Sequence, residues 1–137
     1  HDKGMAVQGD GLKAVQEFYR IRTEKLPRNK VLADLPVSLV FFTAPVGFYA
    51  HIQRVEKRSD QFTIQYRFEP HQTRDITQHF AVIPIGKVSP GKYEVKVEQL
   101  PLDKQYIDLG YEKLLPDKTS SVCKSFSFVV HESEVQQ

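Results

Sequence analysis

The residues best suited to chemistry lie close together in the middle of the chain. His71, Asp75 and His79 recur at intervals of four. On a helix this spacing would place two imidazoles and a carboxylate on one face, where they could ligate a metal ion. The proline and threonine residues around them favour a loop or an extended segment instead, and no cysteine or closely spaced histidine pair adds a ligand. We therefore predict no metal site, and keep a small metal-dependent hydrolase built on these residues as the last alternative.

No other arrangement of reactive side chains indicates catalysis. Serine, histidine and aspartate are present, but no nucleophile elbow holds a serine, and the seven glycines never form a phosphate-binding loop. Cys123 is the only cysteine, and its place beside the last predicted strand indicates a small buried hydrophobic residue rather than a catalytic thiol. The sequence therefore predicts a protein that is not an enzyme, with no catalytic residues and no cofactor.

Charge and composition exclude two classes of partner. The 19 basic and 17 acidic side chains give a net charge of +2, and the basic ones are scattered among acids. A nucleic-acid-binding protein concentrates its cations on one face, so no nucleic-acid partner is predicted. No stretch approaches the roughly 20 apolar residues of a membrane span. The 137 residues, of which 40% are hydrophobic, suit one domain with one core.

Alternation of apolar and polar side chains is the main structural signal. Residues 61–69 and 92–99 alternate with a period of two, which predicts strands with one face on a core. Residues 37–43 are almost wholly apolar, which predicts a central strand covered on both faces. Pro84 predicts an edge position for its strand or the end of a strand, because proline donates no ladder hydrogen bond. The strands predicted from residue 37 onward comprise 37–43, 49–57, 61–69, 79–85, 92–99 and 125–130.

The segment 12–26 fits both a helix and a strand. A helical stripe is formed by Leu12, Val15, Tyr19, Arg22 and Leu26. Residues 18–23 also fit a strand, and the β-rich neighbours favour that interpretation. We therefore predict seven strands in an all-β sandwich, with a partly open barrel as the alternative. The chain is predicted to divide into a poorly ordered leader at 1–17, the sandwich at 18–131 and a polar tail at 132–137.

One turn carries a resemblance to a known superfamily. Ser89-Pro90-Gly91-Lys92 favours a type II turn, and Tyr93 follows it directly. Here the chain resembles the immunoglobulin-like superfamily, in which a tyrosine at the start of the sixth strand bonds back to the backbone of the corner. The missing disulfide and core tryptophan exclude an antibody-type domain. The resemblance, over about 37–131, is to bacterial immunoglobulin-like domains, and implies an antiparallel sandwich of about seven strands without implying an activity.

A second resemblance covers residues 37–86. An apolar strand, the sequence Val46-Gly47-Phe48-Tyr49 and two alternating strands are similar to the C-terminal domain of bacterial PrcB protease-complex subunits. This resemblance implies an envelope protein that assists another protein. The two resemblances together imply a periplasmic or secreted location.

The loops at one end of the predicted sandwich are the candidate binding site. In an up-and-down arrangement, the connections 44–48, 70–78 and 100–122 share one end, and the last is long enough to be functional or locally folded. In the alternative interpretation, five residues of the last connection only pin it onto the sandwich, namely Tyr106, Leu109, Tyr111, Leu114 and Leu115. The predicted contact residues, a mixture that suits a protein or a glycan, are Phe48, His71, Arg74, Asp75, Tyr106 and Tyr111.

The sequence thus predicts a non-catalytic binding or accessory module that uses these loops. The alternative from another class is a structural spacer, or a subunit that associates through a sheet edge such as the strand that carries Pro84. The identity of the partner and the oligomeric state are left open.

Overall fold

The computed structural model describes residues 3–26, 31–43, 48–70, 80–114 and 123–132. Within these ranges the chain is mostly β, with eight strands arranged in two sheets, two helices and one 3₁₀ turn. Neither helix in the described part of the chain has the length and apolar character that a membrane span requires. The elements are β1 Gly4–Gln8, α1 Gly11–Thr23, β2 Val31–Leu32, β3 Val37–Phe42, β4 Phe48–Arg58, β5 Gln61–Pro70, β6 Phe80–Gly86, β7 Gly91–Leu100, α2 Lys104–Asp108, the 3₁₀ turn Tyr111–Leu114 and β8 Ser125–His131.

The two sheets differ in size and shape. The small sheet has the order β1-β3-β6 and is antiparallel throughout. The large sheet has the order β2-β8-β7-β5-β4 and curls into a half-barrel. All six strands predicted from residue 37 onward are present with ends that agree to within one residue. The edge position predicted from Pro84 is also confirmed, because β6 is an outer strand of the small sheet.

The strand pairing departs from the antiparallel sandwich of seven strands. The described residues form eight strands, and two pairs are parallel, β5 with β7 and β2 with β8. After β5 the chain passes to β6 in the small sheet and returns as β7, so β5 and β7 run in the same direction. In an immunoglobulin sandwich, the fourth and sixth strands, which would correspond to β5 and β7 here, lie in opposite sheets and do not pair. The seven-stranded immunoglobulin-like arrangement is therefore not confirmed. The coarser prediction, a mostly β chain with two sheets, is confirmed.

The N-terminal segment is part of the folded core rather than a leader. Strand β1 is largely buried, and residues 11–23 form helix α1 rather than the predicted strand at 18–23. The helix buries Ala14, Phe18 and Ile21, whereas Leu12 and Tyr19 from the predicted stripe are 71% and 50% exposed. Packing against the outer face of the small sheet selects the helix, since tertiary contacts supply most of the stability of a short amphipathic helix.

Strand β3 is covered on both faces, as predicted from its apolar sequence. On one face Leu39 and Phe41 belong to the core between the two sheets. On the other face Val40 packs in a second core beneath α1, where Phe18 also lies. The ring of Phe18 meets the ring of Phe42 at 5.4 Å between centroids. The molecule therefore has three layers, with the small sheet between α1 and the large sheet.

The corner before β7 is held by a tyrosine. The hydroxyl of Tyr93 donates a hydrogen bond of 2.8 Å to the Ser89 carbonyl, a contact that the resemblance to the immunoglobulin-like superfamily implies. The ring of Tyr93 stacks on Phe128 with 5.3 Å between centroids. Gly91 already belongs to β7 and has a φ of 150°, whereas the third position of a type II turn needs about +80°. The predicted type II turn is therefore wrong, and the tyrosine bond ties the corner to β7.

Shortening Phe18 tests whether α1 belongs to the cooperative core. We expect Phe18→Ala to lower the free energy of unfolding by about 3–5 kcal/mol, because it removes a buried ring and leaves a cavity. Leu12→Ala, at an exposed position of the same helix, should change it by less than about 0.5 kcal/mol. Urea unfolding of the two variants measures the difference. Equal effects would mean that α1 does not pack as described.

Candidate functional site

The strand registers bring the ends of several connections to one end of the two sheets. Phe48 pairs with Pro70, so β4 begins where β5 ends, and Phe42 pairs with Phe80, so β6 begins where β3 ends. The parallel pairing of β5 with β7 places the end of β7 on the same side, next to the start of β8. We call this side of the molecule the loop end. The connections after β3, β5 and β7 therefore leave from it, as the sequence predicted.

The structure describes two side chains of the predicted binding set. His71, Arg74 and Asp75 lie outside the described residues, as does His79 of the metal-ligand hypothesis, and Phe48 is described only as the first residue of β4. Whether these residues meet the tyrosines stays a prediction. The two described members, which are half-buried, are Tyr106 and Tyr111.

Tyr106 and Tyr111 support the long connection after β7 from beneath. Their rings meet edge to face, with 5.9 Å between centroids and an angle of 87° between planes. Both rings also pack against the core between the sheets. Tyrosine pairs of this kind add to the free energy of burial. The two residues therefore serve first as a support, which is the structural role that the sequence left open.

The base of the long connection is fixed to β5. The Nε group of Arg67 donates a hydrogen bond of 2.8 Å to the carbonyl oxygen of Pro101, and its Nη1 lies 3.5 Å from an Asp103 carboxylate oxygen. Leu102, between these two partners, is buried at 5% exposure. The connection thus leaves the sheet in a defined direction before α2 begins.

The segment above the tyrosine pair exposes two aliphatic side chains. Ile107 in α2 is 38% exposed, and Leu109 immediately after α2 is 72% exposed. We call these two residues the apolar tip. The prediction that Leu109 pins the connection is wrong, because most of its surface faces solvent. The sequence does show an isoleucine and a leucine between the two tyrosines. The same short pattern would occur whether these side chains were buried or exposed, so it could not reveal the apolar tip.

A group of buried polar atoms lies behind the loop end. Tyr66 and Thr43 are each 1% exposed, and neither hydroxyl has a hydrogen-bond partner within the described ranges. Burial raises the pKa of Tyr66 far above its ordinary value, and the nearby Cys123 adds to this effect. Burial also raises the pKa of the Cys123 thiol to about 11, although Lys3 and the backbone of Ser125 act in the opposite direction. The thiol is therefore protonated at neutral pH and is a poor nucleophile.

An open cleft of about 520 Å³ lies beside the start of α1. Its charged lining includes Asp10, Lys13, Glu17 and Arg20, and the Nε group of Arg20 donates a hydrogen bond of 2.8 Å to Glu17. Because both signs of charge alternate along the cleft, it selects neither an anion nor a cation. Within the described ranges, no group of three histidine, cysteine or acidic side chains could hold a metal ion.

Searches of protein-family models, of curated proteins and of solved structures returned no match to this chain. What the domain does is therefore inferred from its own residues and their geometry. Two described features of the loop end could contact a partner or take part in a reaction. The apolar tip is exposed on a fixed base, whereas the Cys123 thiol is buried at 3% exposure.

The reactivity of Cys123 distinguishes a structural thiol from a nucleophile. At pH 8 we expect iodoacetamide to alkylate the native protein at least about a hundredfold more slowly than the urea-unfolded chain. A pKa about two units above the ordinary value lowers the thiolate fraction by that factor, and burial limits access further. Mass spectrometry of the alkylated protein over time measures both rates. Similar rates in the two states would contradict the buried, protonated thiol.

Proposed function

We propose that this domain is a non-catalytic binding module that contacts a partner protein through the loop end. The observation that supports the proposal is the apolar tip, Ile107 and Leu109, exposed on a segment whose base is fixed. Arg67 holds the base at Pro101 and Asp103. An apolar surface presented in this way loses little conformational entropy when a partner covers it, so more of the contact energy appears as affinity.

The chemistry of the tip favours a protein over a glycan as the partner. Both exposed side chains, Ile107 and Leu109, are aliphatic, and they gain free energy only from apolar contact. A glycan carries hydroxyl groups that need hydrogen-bond partners when they are buried. The half-buried tyrosines beside the tip supply a polar rim, which is a common surrounding for the apolar centre of a protein interface.

The proposal extends to the setting in which the module works. We infer a distant relationship to bacterial immunoglobulin-like sandwiches and to PrcB-type C-terminal domains, in a periplasmic or secreted location. The support is the Tyr93 bond to the corner before β7 and the strand pattern over 37–86. The parallel pairing of β5 with β7 departs from an immunoglobulin sandwich, so the relationship is proposed at the level of a broad superfamily.

A variant of the apolar tip tests the proposed contact. The double substitution Ile107→Ser and Leu109→Ser should reduce the captured partner by about tenfold or more, because the exposed apolar centre of the interface is lost. Val129→Ser is the matched control, because Val129 is 45% exposed on β8, away from the tip. The measurement is quantitative affinity capture from an extract of the source organism with the native protein and both variants.

Both variants should unfold within about 1 kcal/mol of the native protein, because the changed side chains are exposed. The proposal expects the control to retain the partner that the double variant loses. A partner retained equally by all three proteins would contradict it. So would the capture of no protein by the native chain.

A further inference from the structure

Strand β4 has one edge, from Ile52 to Arg58, with which no other strand in the described part of the chain pairs. It is the outer strand of the large sheet, and within the described part of the chain only β5 pairs with it. Its 11 residues span roughly 35 Å at strand spacing. From residue 51 to residue 58 all are exposed except Glu56, which is half-buried. On the side away from β5, the backbone N–H and C=O groups of such a strand are a template for another strand.

The inner face of β4 carries apolar side chains at the margin of the core. Partners across an antiparallel pair share a face, and Ile52 pairs with Tyr66 while Val55 pairs with Ile64. Tyr66 and Ile64 are 1% and 0% exposed, whereas Ile52 and Val55 are 38% and 41% exposed. The apolar face of the core therefore continues onto β4, beyond the part that is fully covered. We call Ile52 and Val55 the apolar margin.

The second half of β4 has an excess of positive charge. Arg54, Lys57 and Arg58 are accompanied by a single acid, Glu56. Arg54 lies 2.6 Å and Arg58 lies 3.4 Å from the carboxylate of Glu56, so one anion serves two guanidinium groups. The ammonium of Lys57 lies 5.8 Å from the centre of the Tyr93 ring. An anionic partner would therefore be attracted to this half of the strand.

This charge selects among the occupants that could add to the edge. A second copy of the chain would bring two strands of the same positive charge together, and like charges across a strand pair are destabilising. A single-stranded nucleic acid needs aromatic platforms for its bases, but the apolar margin is aliphatic. An extended acidic segment of a protein would form backbone hydrogen bonds with the edge of β4 and would also be attracted by its positive charge. Of the other outer strands, β1 and β2 are much shorter than β4, and β6 carries Pro84 and therefore offers a poorer template.

We propose that the free edge of β4 receives an extended acidic segment of a partner protein as an additional strand. Side chains alternate between the two faces of a strand. Apolar residues of the segment would therefore pack beside Ile52 and Val55, and its acidic residues would reach Arg54 and Arg58 on the opposite face. Backbone bonds supply affinity in this mode of recognition, and alternate side chains supply specificity. This surface is separate from the apolar tip.

The irregularity of β4 supports selective rather than general pairing. The register between β4 and β5 shifts between Ile52 and Arg54. Bulges and charged side chains are the devices by which edge strands avoid uncontrolled association. On β4 the bulge and the basic side chains would disfavour a neutral or basic strand, whereas an acidic strand would be attracted by the same basic side chains.

Peptide probes test the proposal on the full chain. The probe is a soluble peptide of alternating valine and glutamate, and the matched probes replace glutamate by lysine or the central valines by proline. We expect saturable binding of the glutamate peptide, at least about tenfold tighter than either matched probe. Amide hydrogen exchange measured by NMR should slow at alternate residues of β4 when that peptide is bound.

Paired variants locate the binding on β4. Val55→Asp should weaken the glutamate peptide about tenfold, because it removes an apolar contact and adds a like charge. Val129→Asp is its control at an equally exposed strand valine on β8. Arg58→Glu should weaken binding similarly, whereas Lys92→Glu, at an exposed position of β7, should not.

Several outcomes would overturn the proposal. These are absent binding of the glutamate peptide, equal binding of the lysine peptide, and equal loss in Val55→Asp and Val129→Asp. Protection of β4 that rises with protein concentration, without peptide, would show that a second copy is the occupant. Because the Ile107→Ser and Leu109→Ser variant should bind the peptide normally, failure here is distinguishable from failure of the contact proposed for the loop end.

Discussion

The double burial of β3 is the constraint on which the rest of the structure depends. From Val37 to Phe41 every residue of this strand is fully buried. A buried strand needs partners for its backbone on both edges and apolar cover on both faces. Strands β1 and β6 supply the edges, while α1 and the large sheet supply the cover. Ser38, the single polar side chain in this run, donates a hydrogen bond of 2.8 Å to the carbonyl of Gly9. The N-terminal segment is therefore a structural requirement.

The unequal size of the two sheets links this constraint to both proposed surfaces. The small sheet has three strands and the large sheet five, a difference of roughly 10 Å in width at strand spacing. The outer strand β4 is left with its apolar margin partly exposed, at Ile52 and Val55. The long connection after β7 packs its two tyrosines against the core between the sheets, and this leaves the apolar tip outside. Both surfaces arise where the core is incompletely covered.

The sequence predicts the elements that depend on the local pattern of side chains. It misses the features that depend on packing against residues distant in the chain. Clean or partial alternation predicts five of the six strands from residue 37 onward, and the apolar run at 37–43 predicts the sixth, the doubly buried strand. Helix α1 is missed because the β-rich neighbours favour a strand at 18–23, and because the stripe visible in the sequence contains the exposed Leu12 whereas the buried face includes the small Ala14. The parallel pairing of β5 with β7 follows from the passage through β6, which no local pattern records. The exposure of Leu109 likewise depends on what lies over it, so a leucine in a loop could not reveal it.

Native-state amide hydrogen exchange on the full chain tests the central role of β3 most directly. If β1, α1 and β3 form one cooperative unit, the amides of Val7, Phe18 and Phe41 should exchange only through global unfolding, with the same free energy of opening. The outer residues of β4 should exchange through local opening at a much lower free energy. Exchange at Val7 and Phe18 that is far faster than at Phe41 would show that the N-terminal segment opens independently, and would contradict the account.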